Sequence, residues 1–243
     1  MKVELLSYTN NPREVIYASA RQCYSKYSAY KIYTEKEKIS STKLKEFIAH
    51  LTKRGHLSPL EHISFTFAVE GISRVCTHQL VRHRLASYSQ QSQRYVSMDN
   101  FDFIIPPTIT NNKEAKKIFL DTIDYIKSSY KKLKDIMEVS SEIEKEKINQ
   151  DLRFLLPQAV ETKIVITMNA RELMHFFSER LCVRAQWEIR ELATEMLTIV
   201  RKILPEVFIF SGPKCNQLKY CPENFKECKL YKAWVKKKND YLV

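Results

Sequence analysis

The segment HISFTFAVEGISRVCTHQLVRHR, residues 62–84, decides the fold class because an alternating stretch in it leads directly into a helical one. Phe65 and Phe67 are apolar positions that alternate with small or polar residues, which is the period of a half-buried β-strand. Ser73 is suited to cap a helix that runs through RVCTHQLVRHR. A strand that continues into a helix indicates a domain that mixes a sheet with helices.

The same two periods recur through the rest of the chain and predict one α+β domain with antiparallel strands. Asn11 with Pro12, the capping box SEIE at 141–144 and NARE at 169–172 mark the starts of three helices. Strands are predicted at 2–9, 62–71 and 162–168, and extended segments at 94–98 and 101–105. Helices are predicted at 12–24, 42–53, 74–84, 113–137, 171–182 and 185–203, and a further helix opens at the capping box 141–144 and ends near Pro157.

Composition excludes several classes of protein. Apolar residues make up 44% of the 243 residues, which fits a folded domain, and no apolar run is long enough to span a bilayer. Glu4 and Asn10 interrupt the N-terminus where a secretory signal needs an apolar stretch, so a cytoplasmic protein is expected. The three glycines, at 55, 71 and 212, cannot build a glycine-rich dinucleotide or phosphate loop.

Six cysteines are expected to be reduced thiols in that compartment. The last three, Cys215, Cys221 and Cys228, follow one another as C-x5-C-x6-C. Tetrahedral zinc requires four ligands, usually with closer pairing, and no fourth cysteine is near in the sequence. We therefore expect no metal site.

A net charge of +12 favours anionic partners, and the segment RHRLASYSQQSQRY, residues 82–95, concentrates cations, hydroxyls and amides without one carboxylate. If the preceding helix ends there, Arg82 and Arg84 can serve two neighbouring anionic ligands with His83 between them, because a planar guanidinium binds phosphate bidentately. A solvated basic loop at a helix end is the alternative. Arg184 and Arg190, further along the chain, can equally bind a ligand or form surface salt bridges.

RHRLASYSQQS resembles the R-H-R-x7-S signature of flavin-dependent thymidylate synthases. GHLSPLEH at 55–62, RFLLP at 153–157 and the NARELMHFF and RAQWEIR segments resemble further motifs of that family in the same order. The resemblance covers residues 2–212 and implies that 1–212 form the family's domain, an antiparallel sheet flanked by helices. Residues 213–243 are then a basic, cysteine-containing tail.

The resemblance implies reductive methylation of dUMP to dTMP, with 5,10-methylenetetrahydrofolate as carbon donor and FAD, reduced by NADPH, as hydride source. It also implies a homotetramer whose subunits share their sites, with no nucleic-acid or membrane partner. A basic nucleic-acid-binding protein without catalysis is the alternative that the charge favours.

Site residues follow from the same motifs, residue by residue. Arg180 is the expected catalytic residue, because a fixed guanidinium can stabilise charge on the uracil ring. His56 is the expected folate contact. The residues expected at FAD are Ser58, Arg82, His83, Arg84, Gln90, Asn169, Arg171 and His175. The residues expected at dUMP are Gln79, Arg82, Gln90, Gln91, Ser92, Gln93, Arg94, Arg153 and Arg180.

Overall fold

A computed structural model describes residues 1–35, 39–140 and 144–232 of the chain. Four strands form one antiparallel sheet in the order β1-β2-β4-β3. The strands are β1 (Lys2–Tyr8), β2 (Ser64–Ser73), β3 (Ala86–Gln90) and β4 (Glu161–Asn169). The helices are α1 (Pro12–Gln22), α2 (Ala29–Thr34), α3 (Ser41–Lys53), α4 (Arg74–Leu80), α5 (Pro107–Thr110), α6 (Lys113–Ser140), α7 (Lys145–Leu152), α8 (Ala170–Arg180), α9 (Trp187–Ile203), α10 (Pro205–Phe208) and α11 (Lys214–Leu218).

This architecture confirms the α+β prediction, and two helix caps form as predicted. The Ser73 hydroxyl accepts the N–H of Cys76 at 3.1 Å at the start of α4. The Asn169 side chain accepts the N–H of Glu172 at 2.8 Å at the start of α8. In both places a strand, β2 or β4, passes into its helix within one residue, so each cap fixes where sheet ends and helix begins.

Other local predictions were wrong. Residues 86–90 form β3 although they lack apolar alternation, because the neighbouring β4 supplies their backbone partners. The segments at 94–98 and 101–105 form no strand, apart from an isolated bridge between Phe103 and Val160. The predicted start of α1 at Pro12 is confirmed, but Asn11, in the left-handed region, makes no side-chain hydrogen bond to the helix. Helix α2 was not predicted.

The predicted capping box at 141–144 lies mostly outside the described residues. Glu144, the one described member, is the N-cap of α7 and makes no capping hydrogen bond. No helix in the described part of the chain is long and apolar enough to cross a membrane.

The chain divides into two compact units. Unit 1 contains residues 1–2, 68–82 and 88–165. Its core lies between α6, α7 and the segment that leads to α5, and it is built from Met98, Phe101, Ile123, Tyr130, Ile148, Leu152 and Val160. The predicted boundary at residue 212 does not coincide with this division and stays a prediction.

Unit 2 contains residues 3–67, 83–87 and 166–243. Its core is aromatic: the ring of Phe208 lies 5.8 Å from Phe65 and 6.1 Å from Phe177, edge-on to both. Phe176 and Phe177 of α8 are fully buried, as their helical spacing predicted. Burial of one face of α8 leaves the opposite face available for polar side chains.

A partly buried ion pair connects the beginning and the end of unit 2. The Arg13 Nε lies 2.5 Å from Glu206 Oε1, and Arg13 Nη2 also donates to the carbonyl of Ile203 at 2.7 Å. The Glu206 side chain is only 5% exposed. A buried carboxylate is stable only while its partner remains, since desolvation of an unpaired charge is costly.

We therefore predict that Arg13→Ala lowers the free energy of unfolding by about 3–5 kcal/mol, because Glu206 keeps its burial and loses its cation. Denaturant unfolding of the purified protein measures this change. Lys147→Ala is the matched control: it removes a cation from an exposed pair with Glu144 at 3.9 Å and should cost less than about 1 kcal/mol. Equal losses in both variants would contradict the structural role given to Arg13.

Candidate functional site

The end of α4 separates the three basic residues of the R-H-R segment. The helix ends at Leu80, and the chain then exposes Arg82 and Arg84 while burying His83, which is 6% exposed. The two arginines are thus free to meet ligands, whereas the histidine between them belongs to the interior of unit 2.

His83 is held by three residues of α8. Its Nε2 accepts a hydrogen bond from Arg180 Nε at 3.0 Å, and its Nδ1 lies 3.3 Å from Glu172 Oε1. The ring of Phe176 packs edge-on against it at 4.9 Å. Because Nε2 accepts, the proton of the neutral ring sits on Nδ1 and points to Glu172. This tautomer fixes the direction of the Arg180 guanidinium.

Electrostatics keep His83 neutral. Burial, then the charges of Arg180 and His175, lower the pKa of His83 to about 4, although Glu179 acts in the opposite direction. Burial raises the pKa of Glu172, against the effect of His175. The contact between His83 and Glu172 is therefore a hydrogen bond of a neutral imidazole at neutral pH, and Arg180 keeps the only positive charge of this trio.

The exposed face of α8 carries two of the residues expected at the flavin. The spacing predicts Arg171, His175 and Ser178 on one face of this helix. Arg171 and His175, one turn apart, are both exposed, whereas Ser178 is buried. Arg171 also forms an ion pair with Glu61, a contact that the sequence did not predict. The side-chain oxygen of Asn169 caps α8 by accepting the N–H of Glu172, so this oxygen already has a hydrogen-bond donor.

Two further expected residues lie on the segment before β2. Ser58 opens a 3-10 turn, Ser58–His62, and its side chain is exposed. His56, the expected folate contact, is exposed just before that turn. Both side chains belong to unit 2 and can be reached from solvent.

In unit 1, a cavity of about 250 Å³ brings together residues expected at the nucleotide. Gln90 and Gln93 line it with Arg153, and the fold adds Arg74 from the first turn of α4. Desolvation, followed by the charge of Arg153, lowers the pKa of Arg74. The remaining lining residues are Thr77, His78, Val81, Leu156, Pro157 and Gln158, none of which is a carboxylate. Two cations without a lining carboxylate make an anion-binding cavity.

Gln90 is oriented by two threonines of unit 1. Its Nε2 donates to the hydroxyl of Thr77 at 3.0 Å and to that of Thr162 at 3.2 Å. Since both contacts use the amide nitrogen, the amide oxygen is the atom left for a ligand that donates a hydrogen bond. Gln79, one helical turn before the R-H-R segment, is half-buried on α4.

The segment after β3 is only partly available to a ligand. Gln91 continues the strand pairing, donating its N–H to the carbonyl of Lys163 at 2.9 Å. The Ser92 hydroxyl accepts the N–H of Arg94 at 3.2 Å and so shapes the turn. Arg94 forms an ion pair with Glu146 of α7, which lies 52 residues away in sequence.

Sequence reasoning missed four of these residues: Arg74, Glu61, Glu146 and Glu172. The sequence shows 82–95 without a local counter-charge, whereas the fold supplies one to Arg94 from α7. Arg74 did carry a signal, since it directly follows the capping Ser73. The carboxylates carried none, because their positions depend on tertiary contacts.

The pKa of His83 makes the protein's stability depend on pH. Between pH 6.5 and about 4 the imidazole of His83 is protonated in the unfolded chain but not in the folded chain. The free energy of unfolding therefore decreases as pH falls through that window. Glu172 opposes this in part, because its raised pKa makes the folded state take up a proton earlier.

We predict that wild type loses about 2–3 kcal/mol more unfolding free energy than His83→Gln on going from pH 7 to pH 4.5. The amide of the variant does not titrate, so the destabilising proton uptake disappears. Denaturant unfolding at both pH values measures the difference. His50→Gln, which changes an exposed histidine, should retain the wild-type pH dependence; a flat wild-type profile would show that His83 is not buried neutral.

Comparison with known proteins identifies the family of the chain. Residues 4–206 match the profile of the family described as thymidylate synthase complementing protein. A protein of Nitratidesulfovibrio vulgaris named flavin-dependent thymidylate synthase is 48% identical over 224 residues, covering 91% of each chain. Proteins of the same name from Clostridium tetani and Pyrococcus furiosus are 47% and 44% identical, over 94% and 92% of this chain and 93% and 90% of their own. The chain belongs to the thymidylate synthase complementing protein family, that of the flavin-dependent thymidylate synthases.

Proposed function

We propose that this protein converts dUMP to dTMP by reductive methylation, with 5,10-methylenetetrahydrofolate as the carbon donor and FAD, reduced by NADPH, as the hydride source. The names of its relatives support flavin dependence and the thymidylate synthase reaction. The carbon donor, the reductant, a cytoplasmic location and the residue roles below are further parts of the proposal.

The observation that carries the proposal is the anion-binding cavity of unit 1. Burial, and then repulsion by the charge of Arg153, lowers the pKa of Arg74 there. A nucleotide phosphate relieves that repulsion, because each guanidinium can donate charge-assisted hydrogen bonds to its oxygens. The amides of Gln90 and Gln93 line the same cavity and suit the polar edge of a uracil ring or a ribose. Together these groups fit dUMP.

Exposed donors of unit 2 fit FAD. The diphosphate of this cofactor has no glycine loop to hold it, and Arg84 and Arg171 are exposed guanidinium groups of the kind that bind such anions. His175 and Ser58 add exposed hydrogen-bonding side chains. When bound, the reduced flavin supplies the hydride that the reaction consumes. Arg82, His83, Gln90 and Asn169 complete the proposed set.

Arg180 is the proposed catalytic residue, and His83 is its positioning residue. A guanidinium aimed by His83 can stabilise negative charge at N3 and O2 of the uracil ring, since preorganised charge needs no rearrangement during the reaction. The raised pKa of Glu172 and the neutrality of His83 leave Arg180 as the local source of positive charge. Ser92 is proposed as a dUMP ligand, because among the described residues its hydroxyl accepts the N–H of Arg94 and is not hydrogen-bonded to a histidine or a carboxylate.

We also propose a homotetramer in which neighbouring subunits complete each site, with Gln79, Gln91 and Arg94 at dUMP and His56 at the folate. Nucleic acid is not among the proposed partners. The excess of 12 positive charges suits anionic metabolites as well as nucleic acid, and membership of an enzyme family favours the former.

Binding of dUMP tests the cavity assignment. Arg74→Ala and Arg153→Ala should each weaken dUMP binding about 10- to 100-fold, the value of a hydrogen bond to a charged group. Titration calorimetry with dUMP measures the change, and deoxyuridine shows whether the phosphate is the group recognised. Lys117→Ala, which removes an exposed charge from α6, is the matched control. Unchanged affinity in both arginine variants would remove the cavity from the proposal.

Turnover separates Arg180 from Ser92. Arg180→Ala should lower the rate of dTMP formation about 10²- to 10³-fold, because transition-state charge stabilisation is lost. Ser92→Ala should keep measurable turnover and weaken dUMP binding by about 0.5–1.5 kcal/mol, the value of one neutral hydrogen bond. The assay follows dUMP-dependent oxidation of pre-reduced flavin at saturating dUMP and folate. A complete loss in Ser92→Ala with dUMP still bound would instead identify a covalent nucleophile.

A further inference from the structure

A second cavity in unit 2, of about 280 Å³, is lined by four of the six cysteines. Cys182 follows α8, whereas Cys215, Cys221 and Cys228 belong to the tail. All four are half-buried, and no cysteine of the chain is in a disulfide. The sequence showed only the last three as a group; the fold adds the fourth from 33 residues upstream of the first. We call this site the four-cysteine cavity.

Backbone turns occur at three of the four cysteines that line this cavity. The carbonyl of Cys182 accepts the N–H of Ala185 at 2.9 Å, and that of Cys221 accepts the N–H of Asn224 at 3.3 Å. The N–H of Cys228 donates to the carbonyl of Phe225 at 3.2 Å. Each of these cysteines begins or ends a short turn, which is how a chain presents several side chains to one centre.

Two contacts hold the tail against the end of α8. Lys214 Nζ lies 2.7 Å from Glu179 Oε1, and the Arg184 guanidinium lies 5.5 Å from the ring centroid of Phe225. Each contact joins the tail to a residue within three positions of Cys182. The approach of Cys182 to the tail thiols is therefore supported on both sides.

We propose that the four cysteines bind an iron–sulfur cluster. Four thiolates are the usual ligand set of such clusters. Each thiol loses its proton as its Sγ bonds to an iron. Arg180, Arg184 and Glu223 line the cavity, as does the ion pair of Lys214 with Glu179. The two arginines can offset the negative charge of the thiolates. The proposal does not rest on the thymidylate synthase reaction.

The size of the cavity favours a cluster over a single zinc ion. Zinc with four thiolates draws its sulfurs to within about 3.8 Å of one another, given a Zn–S bond of about 2.3 Å, and leaves no space between them. Among residues 1–35, 39–140 and 144–232, no three His, Cys, Asp or Glu side chains are arranged around one ion. The four cysteines instead line a space several times the volume of a water molecule, which is about 30 Å³.

The test uses the full-length protein purified without oxygen. We expect about two or about four iron atoms per chain with an equal amount of acid-labile sulfide, corresponding to the two common four-cysteine clusters. Iron and sulfide are measured chemically, because the flavin absorbs in the same region as a cluster. Electron paramagnetic resonance after reduction with dithionite gives an independent signal of the cluster.

Cys182→Ser and Cys228→Ser should each lose most of the iron and sulfide, whereas Cys23→Ser, which changes an exposed cysteine outside the cavity, should keep both. Circular dichroism shows whether the variants fold. If Cys182→Ser does not fold, the iron content of Cys228→Ser is the deciding measurement, because Cys228 lies in the tail. Three results would overturn the proposal: no iron after reconstitution with ferrous iron and sulfide, one zinc per chain in place of iron, or full iron content in both cavity variants.

Discussion

The hydrogen bond from Arg180 to His83 connects the motif that identifies the family to the helix that carries the expected catalytic group. It requires a neutral imidazole, which burial and the neighbouring positive charges maintain by lowering the pKa of His83 to about 4. The Nε2 atom of His83 fixes the direction of the Arg180 guanidinium, and Arg82 and Arg84 on either side of this buried residue are exposed. A histidine in a cationic motif thus acts here by staying uncharged.

The arginines of the chain differ in whether a carboxylate lies beside them. Arg94, Arg171 and Arg13 each have a carboxylate partner supplied by a distant part of the sequence. Arg74 and Arg153 instead share a cavity that no carboxylate lines. In the function proposed for this protein, the phosphate of a nucleotide in that cavity offsets the repulsion between the two guanidinium groups.

The tail contributes no strand to the sheet, yet it supplies three of the four cysteines of the proposed cluster site. Cys215, Cys221 and Cys228 lie after the last residue matched to the family profile, residue 206, yet they meet Cys182 beside the end of α8. A ligand there would fix the end of the helix that carries Arg180. The two sites of unit 2 therefore share one structural element.

The sequence by itself determined the α+β class, the caps at Ser73 and Asn169, the buried face of α8 and the family, because each depends on residues near one another along the chain. Tertiary structure decided the rest. Strand β3 has no apolar period and exists because β4 pairs with it; the partners Glu146, Glu61 and Glu172 lie far along the chain from the groups they contact. The fourth cysteine is likewise remote in sequence, and only folding, which brings distant segments together to bury apolar surface, places it beside the other three.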